Sequence, residues 1–392
     1  MVFKDFKDLK LSTLGFGLMR LPQNEDKSID WSEAEKLIDH AYNNGINLFD
    51  TAFFYHSGES ESVARKLLSK YPRDTWYLSN KMPGNFMEVV DGKLVMELGG
   101  MGMADRTFNN PQEVFEYQLK NCNVEYFDFY MLHNVSANTL DIYTDEKIGM
   151  VDYLLEQKKA GRIKHFGFST HGRPEVIDKF LNMYDCFEFA MLQLNYLDWT
   201  LQEASKKYDI LTKHGVPIFV MEPLRGGKLS APGENAEALL KNANHNATAA
   251  SWAFRFLQSL PNVCSTVSGM STFEQLQENI ETFSKHDPLG EPEKKTLQDV
   301  VDGMASFVPC TLCSYCCDVC PKKLDIPALI TTYNEALTIF AWYITDTLEI
   351  LGADKGPDAC TGCGVCSPLC PQEIDIAATM TEFAALVESK RS

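Results

Sequence analysis

The stretch 45-GINLFDTAFFY-55 decides the fold class of this 392-residue protein, because it contains a complete junction between a helix and a strand. The apolar run Asn47–Thr51 has the length of a buried strand, and amphipathic stretches lie on either side of it, over Ser32–Asn44 and Ser60–Lys70. Gly45 stands where the first of these helices should stop. The stretch therefore predicts a helix, a buried strand and a second helix in succession.

The same alternation recurs along residues 1–287. Apolar runs predict eight strands, over Leu14–Leu18, Asn47–Thr51, Trp76–Asn80, Phe127–Leu132, Lys164–Ser169, Phe189–Leu194, Pro217–Met221 and Cys264–Val267. Amphipathic stretches predict eight helices, over Ser32–Asn44, Ser60–Lys70, Pro111–Asn123, Lys147–Ala160, Pro174–Phe180, Thr200–His214, Thr248–Leu260 and Thr272–Phe283. Such alternation implies parallel strands joined by helical crossovers. It predicts an α/β fold, a closed (β/α)8 or TIM barrel, with its active site at the carboxyl ends of the strands.

An open doubly wound sheet is the alternative architecture for this alternation. Such a sheet normally carries a glycine-rich phosphate turn after its first strand. The stretch 15-GFGLMR-20 does not complete that motif, and its absence favours the barrel.

One connection, residues 82–110, is much longer than the few residues that usually join a strand to a helix. Within it, residues 87–97 predict a β-hairpin with Asp91-Gly92 at the turn. Because the insertion follows a barrel strand, we expect it to stand over the active-site mouth as a lid. Five methionines would give the lid a deformable apolar surface, Met82, Met87, Met96, Met101 and Met103, although a plain surface hairpin is the alternative.

Residues 286–292 mark a domain boundary, because two prolines and a glycine interrupt the helical pattern there. We expect the barrel to occupy residues 1–287 and a second domain to occupy residues 288–392. The second domain begins with a linker helix from Glu293 to about Ser306. It continues into a block with nine of the 12 cysteines, a density that favours a metal site over disulfides.

Two runs in this block share the spacing Cys-x2-Cys-x2-Cys-x3-Cys-Pro. The pattern is that of bacterial two-cluster ferredoxins, in which the fourth cysteine of each run ligates the other cluster. It predicts a ferredoxin-like α+β domain with two [4Fe-4S] clusters. The ligands would be Cys310, Cys313, Cys316 and Cys370 for one cluster and Cys360, Cys363, Cys366 and Cys320 for the other.

Zinc binding and plain reduced thiols are the alternative interpretations of the block. Zinc sites usually take two Cys-x-x-Cys pairs, which leaves the third cysteine and the trailing proline of each run without a role. Cys317 could replace Cys316 as a ligand, although we prefer to interpret it as a small buried residue. The three scattered cysteines are expected in the core: Cys122, Cys186 and Cys264.

The composition excludes several functional classes. A formal net charge of −18 argues against nucleic-acid binding, which needs a positive surface, and against binding to anionic membranes. Residues 1–10 are mixed in charge and predict no signal segment. The apolar stretch Leu337–Leu351 is interrupted by Asp346 and is too short to span a bilayer. We therefore expect a cytoplasmic protein.

Polar residues stand at the ends of three successive predicted strands. Asp50 ends the second strand, Lys81 follows the third, and His133 follows the fourth. Tyr55 comes five residues after Asp50, so a barrel would bring all four to one mouth. Together they would form an acid set. Lys81, paired with Asp50, would lower the pKa of the Tyr55 phenol, while His133 would hydrogen-bond a carbonyl oxygen.

These motifs resemble the aldo-keto reductases. The stretch 45-GINLFDTAFFY-55, Lys81 and 131-MLH-133 match the tetrad of that family in order and spacing. The similarity continues through 161-GRIKHFGFS-169, 193-QLNY-196, 221-MEPLRGGKL-229 and 268-SGMS-271. The chain is most similar to the branch with a C-terminal ferredoxin-type domain. The resemblance implies that the catalytic residues are Asp50, Tyr55, Lys81 and His133.

The resemblance also implies a nicotinamide site. Ser169 and Gln193 would lie around the nicotinamide, and Tyr196 would stack beneath its ring. The stretch after the eighth strand would bind the adenosine through Ser271, Gln275, Glu278 and Asn279. The positions where many relatives carry Lys and Arg for a 2′-phosphate are Gly269 and Gln275 here, so both NADP(H) and NAD(H) stay open.

A phosphate site is expected after the seventh strand, where barrels of this kind often form one. The glycines of 223-PLRGGK-228 would allow close backbone approach to a phosphate. The candidate contacts are Pro223, Leu224, Arg225, Gly227 and Lys228.

Three functions fit this combination of barrel and clusters. In the first, the barrel reduces an aldehyde or ketone by hydride transfer from the nicotinamide, and the clusters transfer electrons or support the structure. In the second, the clusters supply electrons to a flavin in the barrel. The third is a non-enzymatic redox-sensing interaction protein. The complete tetrad favours the first. We expect a small-molecule carbonyl substrate and a redox protein as partners, and neither nucleic acid nor a membrane.

Overall fold

The computed structural model describes residues 1–90, 93–97, 106–136, 139–304, 308, 310, 314–337, 348, 352, 354–370 and 373–391. The chain forms two compact units. The first is Met1–Leu229 with Ala247–Lys294, and the second is Ser230–Asn246 with Lys295–Ser392.

The first unit confirms the predicted barrel. The strands are β1 Phe3–Phe6, β2 Leu9–Ser12, β3 Leu14–Gly17, β4 Leu48–Asp50, β5 Tyr77–Met82, β6 Glu88–Val90, β7 Lys93–Glu97, β8 Thr107–Phe108, β9 Phe127–Leu132, β10 Ile163–Thr170, β11 Phe189–Gln193, β12 Ile218–Met221 and β13 Val263–Gly269. Eight of them close a parallel barrel in the order β3, β4, β5, β9, β10, β11, β12 and β13. These eight are the eight strands that the apolar runs predict.

The helices follow the predicted pattern with two interruptions. They are α1 Trp31–Asn43, α2 Pro111–Cys122, α3 Leu140–Thr144, α4 Met150–Lys159, α5 Pro174–Met183, α6 Asp198–Leu201, α7 Ala204–Lys213, α8 Glu234–Ala243, α9 Ala249–Gln258, α10 Phe273–Thr282, α11 Glu291–Met304, α12 Tyr315–Asp318, α13 Ile326–Ala336 and α14 Ile376–Arg391. The helix predicted over Ser60–Lys70 contains a π-helical turn at Ala64–Leu68. The helix predicted over Thr200–His214 is divided, because Glu203 takes a left-handed φ of 51° between α6 and α7.

Side chains of the barrel strands alternate between two cores. In β9, Phe129 and Met131 pack inside the barrel with side chains from neighbouring strands. Tyr130 and Leu132 instead belong to the larger core, which includes the surrounding helices. This alternation decides which strand-end residues reach the barrel mouth.

A hairpin that the sequence analysis did not predict closes the amino end of the barrel. Strands β1 and β2 pair antiparallel before the first barrel strand. The buried ring of Phe6 packs edge-on against Phe129 and Phe219, with centroid distances of 5.5 and 5.6 Å. The carboxyl ends of the strands lie at the opposite end, where the site is found.

The insertion after β5 contains a three-stranded antiparallel sheet, β6-β7-β8. The predicted turn Asp91-Gly92 and residues 98–105, which include Met101 and Met103, lie outside the described residues. Met82, Met87 and Met96 are buried in the main core of the barrel unit. These three thioethers therefore fill the core and do not present an open apolar surface.

The described residues of the second unit form helices and turns around a small core of its own. The pseudo-repeat of the sequence has a structural counterpart there. Asp325 accepts a hydrogen bond from the N–H of Ala328 at the start of α13, and Asp375 accepts one from Ala378 at the start of α14, each at 3.1 Å. The rings of Tyr333 and Phe383 pack between these helices at 5.4 Å.

Candidate active site

Strand alternation brings the predicted catalytic residues to one mouth. Met131 lies inside the barrel, so His133, two residues later, leaves the carboxyl end of β9 on the interior side. Tyr77 packs against the interior core, which gives Lys81 the same orientation at the end of β5. Asp50 is buried at the end of β4, which pairs with β5 on the side away from β9.

Lys81 and Asp50 form a buried ion pair. The Lys81 ammonium donates hydrogen bonds to Asp50 Oδ2 and to the main-chain oxygen of Thr51, each at 2.7 Å. The Ser79 hydroxyl donates to the other oxygen of Asp50, at 2.7 Å. Burial by itself lowers the pKa of Lys81, but the charge of Asp50 and the contact with Tyr55 raise it to a net value above its ordinary range. Lys81 is therefore a fixed cation in the site.

Tyr55 lies against this cation. The Lys81 Nζ is 5.0 Å from the centroid of the Tyr55 ring. Lys81 lowers the pKa of Tyr55, as expected, but its charge is not the largest influence on this phenol. Burial raises the pKa of Tyr55 more than Lys81 lowers it, so the net shift is upward. The phenol is consequently protonated across the neutral range.

His133 is neutral in this site. Burial, the charge of Lys81 and the nearby His171 lower the pKa of His133 to about 3. Its Nδ1 is buried and has no hydrogen-bond partner among the described residues. A neutral imidazole here can donate or accept a hydrogen bond but cannot act as a strong acid at neutral pH.

A buried carboxylate behind the barrel wall was missed in the sequence. Glu61 is buried and accepts hydrogen bonds from Asn80 (2.9 Å), Gln118 (2.8 Å) and Asn121 (3.0 Å). Asn80 Oδ1 accepts from the N–H of Lys81 at 2.8 Å, and Gln118 donates to the carbonyl oxygen of Lys81 at 3.0 Å. The network therefore holds the Lys81 backbone from both sides. The polar Asn80 in an apolar strand was the available signal.

The residues expected around a nicotinamide lie at the ends of β10 and β11. The buried Ser169 hydroxyl accepts from the N–H of Asn134 at 2.8 Å. Gln193 is half-buried and donates to Asp198 at 2.8 Å. Tyr196 is buried, and its hydroxyl has no partner among the described residues. Burial raises the pKa of Tyr196, which keeps this phenol neutral.

Asp198 connects this region to the next loop, and the sequence analysis did not single it out. Its fully buried carboxylate accepts hydrogen bonds from Gln193, from Asn195 at 2.7 Å and from the Nε of Arg225 at 3.1 Å. One carboxylate thus orients side chains from two strand ends. The signal was an aspartate inside the otherwise apolar stretch 194-LNYLDW-199.

Two glycines of the predicted phosphate loop after β12 are exposed to solvent. Gly226 and Gly227 have positive φ values of 69° and 98°, which side chains rarely adopt. A Cβ atom built on Gly227 would meet nothing within 4 Å. Pro223 and Arg225 are buried, and Leu224 packs against the main core. Exposed backbone at this loop leaves room for a phosphate.

Lys228 lies in the same loop and is half-buried. Burial and the nearby charge of Arg225 lower the pKa of Lys228 to about 7. An anion bound at the loop would favour the charged form of this side chain.

The four residues expected to bind adenosine do not all line the same cleft. Ser271 lines a cleft of about 310 Å³ together with Tyr55 and Arg20. Gln275 is exposed on α10, and its Oε1 accepts from the N–H of Ser271 at 2.8 Å. Glu278 accepts from the Thr248 hydroxyl.

Asn279, the fourth of these residues, is buried on α10. Its Nδ2 lies 3.4 Å from the Ser268 hydroxyl. Glu278 and Asn279 are thus in contact with side chains of the barrel unit, and neither lines the cleft that holds Tyr55.

A nicotinamide dinucleotide fits these residues. The buried hydroxyl of Tyr196 and the buried Nδ1 of His133 find no hydrogen-bond partner within the described part of the chain, and a side chain at Gly227 would face open space. Arg225 and Lys228 supply the positive charge that phosphates need.

The second unit contains the cysteines that were predicted to bind clusters. Four of them line one cavity: Cys320, Cys360, Cys363 and Cys366. Among the described residues no three Cys, His, Asp or Glu side chains are gathered closely enough to hold one metal ion. Four cysteine thiols match, in number and type, the donor set of a [4Fe-4S] cluster. For the other set, Cys310, Cys316 and Cys370 are described, whereas Cys313 is outside the described residues.

Within the described parts of the chain, no helix combines the length and the apolar character needed to cross a membrane.

The sequence is similar to those of known proteins. The profile of the aldo/keto reductase family matches residues 13–302, and the profile of a 4Fe-4S dicluster domain matches residues 309–375. An uncharacterized oxidoreductase of Bacillus subtilis, YqkF, is 25% identical over 312 residues, which are 74% of this chain and 93% of that protein.

Solved structures share the barrel. The holo form of an aldo-keto reductase from Bacillus halodurans is 25% identical with a TM-score of 0.58, over 76% of this chain and 96% of that one. An aldo-keto reductase of Klebsiella pneumoniae in complex with NADPH is 15% identical with a TM-score of 0.59, over 77% and 96%, a likeness of fold. Since the family profile spans most of its length, this chain is an oxidoreductase that belongs to the aldo/keto reductase family, and a 4Fe-4S dicluster domain follows its barrel.

Proposed function

We propose that the barrel reduces the carbonyl group of a small aldehyde or ketone to an alcohol, with NADPH or NADH as reductant and Tyr55 as the general acid. The observation that carries the proposal is the buried chain from Asp50 through Lys81 to Tyr55. In that chain the only group poised to release a proton to a substrate is the Tyr55 phenol, which is protonated at neutral pH.

The chain's own residues would act as follows. The substrate oxygen would accept hydrogen bonds from the Tyr55 hydroxyl and from the neutral His133 ring. A bound reduced nicotinamide supplies a hydride, which the carbonyl carbon accepts. The Tyr55 proton passes to the substrate oxygen and completes the alcohol. Lys81 then stabilises the phenolate that remains, and solvent returns the proton.

The cofactor would be held at the carboxyl ends of the last four strands. Gln193 and Ser169 offer an amide and a hydroxyl to the nicotinamide carboxamide, and Tyr196 offers an aromatic face. Arg225 and Lys228 offer charge to the phosphates, beside the open backbone of Gly227.

The second domain would hold two [4Fe-4S] clusters with the exchanged fourth cysteines. The four thiols around one cavity support this assignment for Cys360, Cys363, Cys366 and Cys320. The clusters would transfer electrons to a redox partner or support the fold of the domain.

The first test is a Tyr55→Phe substitution, which removes the proton donor and keeps the ring. We expect kcat for carbonyl reduction to fall by about 10²- to 10⁴-fold, the usual contribution of general acid catalysis. The dissociation constant for NADPH, measured by fluorescence titration, should change by less than about twofold. Tyr184→Phe, on a half-buried tyrosine far along the chain from the tetrad, is the matched control and should retain full activity. Unchanged turnover in Tyr55→Phe would exclude the acid role.

The second test distinguishes this reaction from a flavin-based one. Protein purified without oxygen should release only a nicotinamide nucleotide, identified by mass spectrometry, besides iron and sulfide. A stoichiometric yellow chromophore would instead favour a barrel in which the clusters deliver electrons to a flavin.

A further inference from the structure

Arg20 stands at an unexpected place in the barrel mouth. It ends the short 3-10 turn Leu18–Arg20, directly after the first barrel strand, and its side chain is exposed. Its main-chain oxygen accepts a hydrogen bond from the Ser271 hydroxyl at 2.8 Å. The loop after the first strand is therefore joined to the loop after the eighth.

The stem of Arg20 occupies the space above Gly269. A Cβ atom built on Gly269 would lie 3.0 Å from Arg20 Cβ and 3.1 Å from its Cγ and Cδ. A larger residue at position 269 would thus crowd the arginine, which would have to shift by a few tenths of an ångström. The glycine allows Arg20 to cross the end of β13.

The guanidinium of Arg20 reaches the loop after β12, the seventh strand of the barrel. A Cβ atom built on Gly226 would be 3.3 Å from Arg20 Nη2 and 3.8 Å from the Glu222 carboxylate. Glu222 and Arg20 do not come within ion-pair distance, and the guanidinium makes no hydrogen bond or ion pair with any described residue. An arginine held by its stem between two loops, with all of its donors available, is suited to an anion.

The other cations of this mouth are less available. Arg225 pairs with the buried Asp198 at 3.1 Å. The lowered pKa of Lys228, about 7, leaves that side chain only partly charged at neutral pH. The loop and helix after the eighth strand, 269-GMSTFEQLQENIE-281, contain no Lys or Arg. Arg20 is therefore a cation on this side of the site whose charge no described residue neutralises.

We propose that Arg20 binds a phosphate group of the nicotinamide dinucleotide and supplies from the first strand the positive charge that the eighth-strand loop lacks. This inference rests on the proposed function. It makes Arg20 a binding residue that affects cofactor affinity and not the chemical step, because the tetrad lies on other strands.

The test measures dissociation constants for NADPH and NADH by fluorescence titration of the full-length protein. Arg20→Met keeps the stem and removes the charge, and Arg20→Lys keeps a charge without the planar fork. We expect Arg20→Met to raise the dissociation constant about 10- to 100-fold, as loss of a charge-assisted contact does. Arg20→Lys should fall between it and the native protein. kcat at saturating cofactor should stay within about twofold.

The two cofactors identify the phosphate. Weakened binding of NADPH alone would assign the contact to the 2′-phosphate, and equal weakening of both would assign it to the pyrophosphate. Arg65→Ala, at an exposed arginine outside the mouth, is the matched control and should bind both cofactors normally. If Arg20→Met binds both cofactors as tightly as the native protein, the proposal is wrong. A native protein that binds neither cofactor would instead overturn the proposed function.

A second experiment moves the positive charge from position 20 to position 269 with two substitutions. A purely structural role of Arg20 would not predict its result. Gly269→Lys alone crowds the stem of Arg20 and should weaken cofactor binding. In an Arg20→Gly background the Cβ, Cγ and Cδ contacts are all gone, so Gly269→Lys should recover at least about fivefold of the lost affinity. If the double variant binds no more tightly than Arg20→Gly, the idea that the two positions share one phosphate is wrong.

Discussion

The Tyr55 phenol and the His133 imidazole are kept in the protonation states that carbonyl reduction requires. Burial raises the pKa of Tyr55 despite the adjacent Lys81, so the proton stays on the phenol until a substrate oxygen can take it. The same Lys81 helps to lower the pKa of His133 to about 3, which leaves the ring neutral. Only one of the two can therefore act as the acid at neutral pH.

Cofactor affinity, and not the chemical step, should depend on pH near neutrality. Lys228 has a pKa lowered to about 7, so it is charged below pH 7 and loses its charge above it. A bound phosphate favours the charged form, so the dissociation constant for NADH should rise about tenfold between pH 6 and pH 8. NADH is the suitable probe because its pyrophosphate does not titrate there, unlike a phosphate monoester with a pKa near 6.

The control for this prediction is Lys228→Arg, which keeps its charge across the range. Its dissociation constant for NADH should not change between the two pH values. If the native protein also shows no pH dependence, Lys228 does not contact the phosphates.

The tetrad could be predicted at the residue scale because each member is at or just beyond a strand end. Successive side chains of a strand point to opposite faces, so the position of a residue along the strand decides whether its side chain faces the barrel interior. Arg20 and Asp198 could not be found in this way. Their importance depends on partners from other loops, Gly269 and Arg225, which lie far away in sequence.

At the scale of elements, Glu188 connects the amino end of β11 to neighbouring parts of the barrel through a hydrogen bond and ion pairs. Its carboxylate accepts a hydrogen bond from the N–H of Phe166 at 3.1 Å and pairs with Lys158 at 2.9 Å and with Lys7. These contacts outweigh burial and lower the pKa of Glu188 well below its ordinary range.

Glu188→Gln should therefore reduce the free energy of unfolding at pH 7 by about 1–3 kcal/mol, the cost of weakening a charged hydrogen-bond set. Because the folded carboxyl has a lowered pKa, its contribution is present above pH 4.5 and is lost as pH falls further. Urea unfolding should show that the difference in free energy of unfolding between the native protein and Glu188→Gln is smaller at pH 4 than at pH 7. Glu125→Gln, at an exposed residue, should have no effect at either pH.

Elements with a strong periodic pattern were predictable, and their interruptions were not. The apolar runs predict all eight barrel strands. No pattern in the sequence indicates the π-helical turn Ala64–Leu68 or the left-handed Glu203 that separates α6 from α7. A single backbone angle leaves no periodic signal, and the hairpin β1–β2 owes its stability to tertiary contacts of Phe6.

At the scale of the whole molecule, iron content tests the cluster ligands. Cys366→Ser should reduce the iron content of anaerobically purified protein by about half, since one of the two clusters would lose a ligand. Cys317 was expected to be buried but is only partly buried in the structure, and Cys317→Ser should leave the iron content unchanged. Iron and sulfide analysis of both variants makes the comparison. Loss of iron in Cys317→Ser would move the ligand assignment from Cys316 to Cys317.

The sequence by itself determined the barrel, the cysteine spacing and the order of the tetrad. Each of these is written locally, as a period of apolar residues, a fixed ligand interval or a polar residue at a strand end. Only the tertiary structure decided the protonation states of Tyr55 and His133 and the position of Arg20 between Gly226 and Gly269. Desolvation depends on everything packed around a group, and a contact between the first and last strands exists only once the barrel has closed.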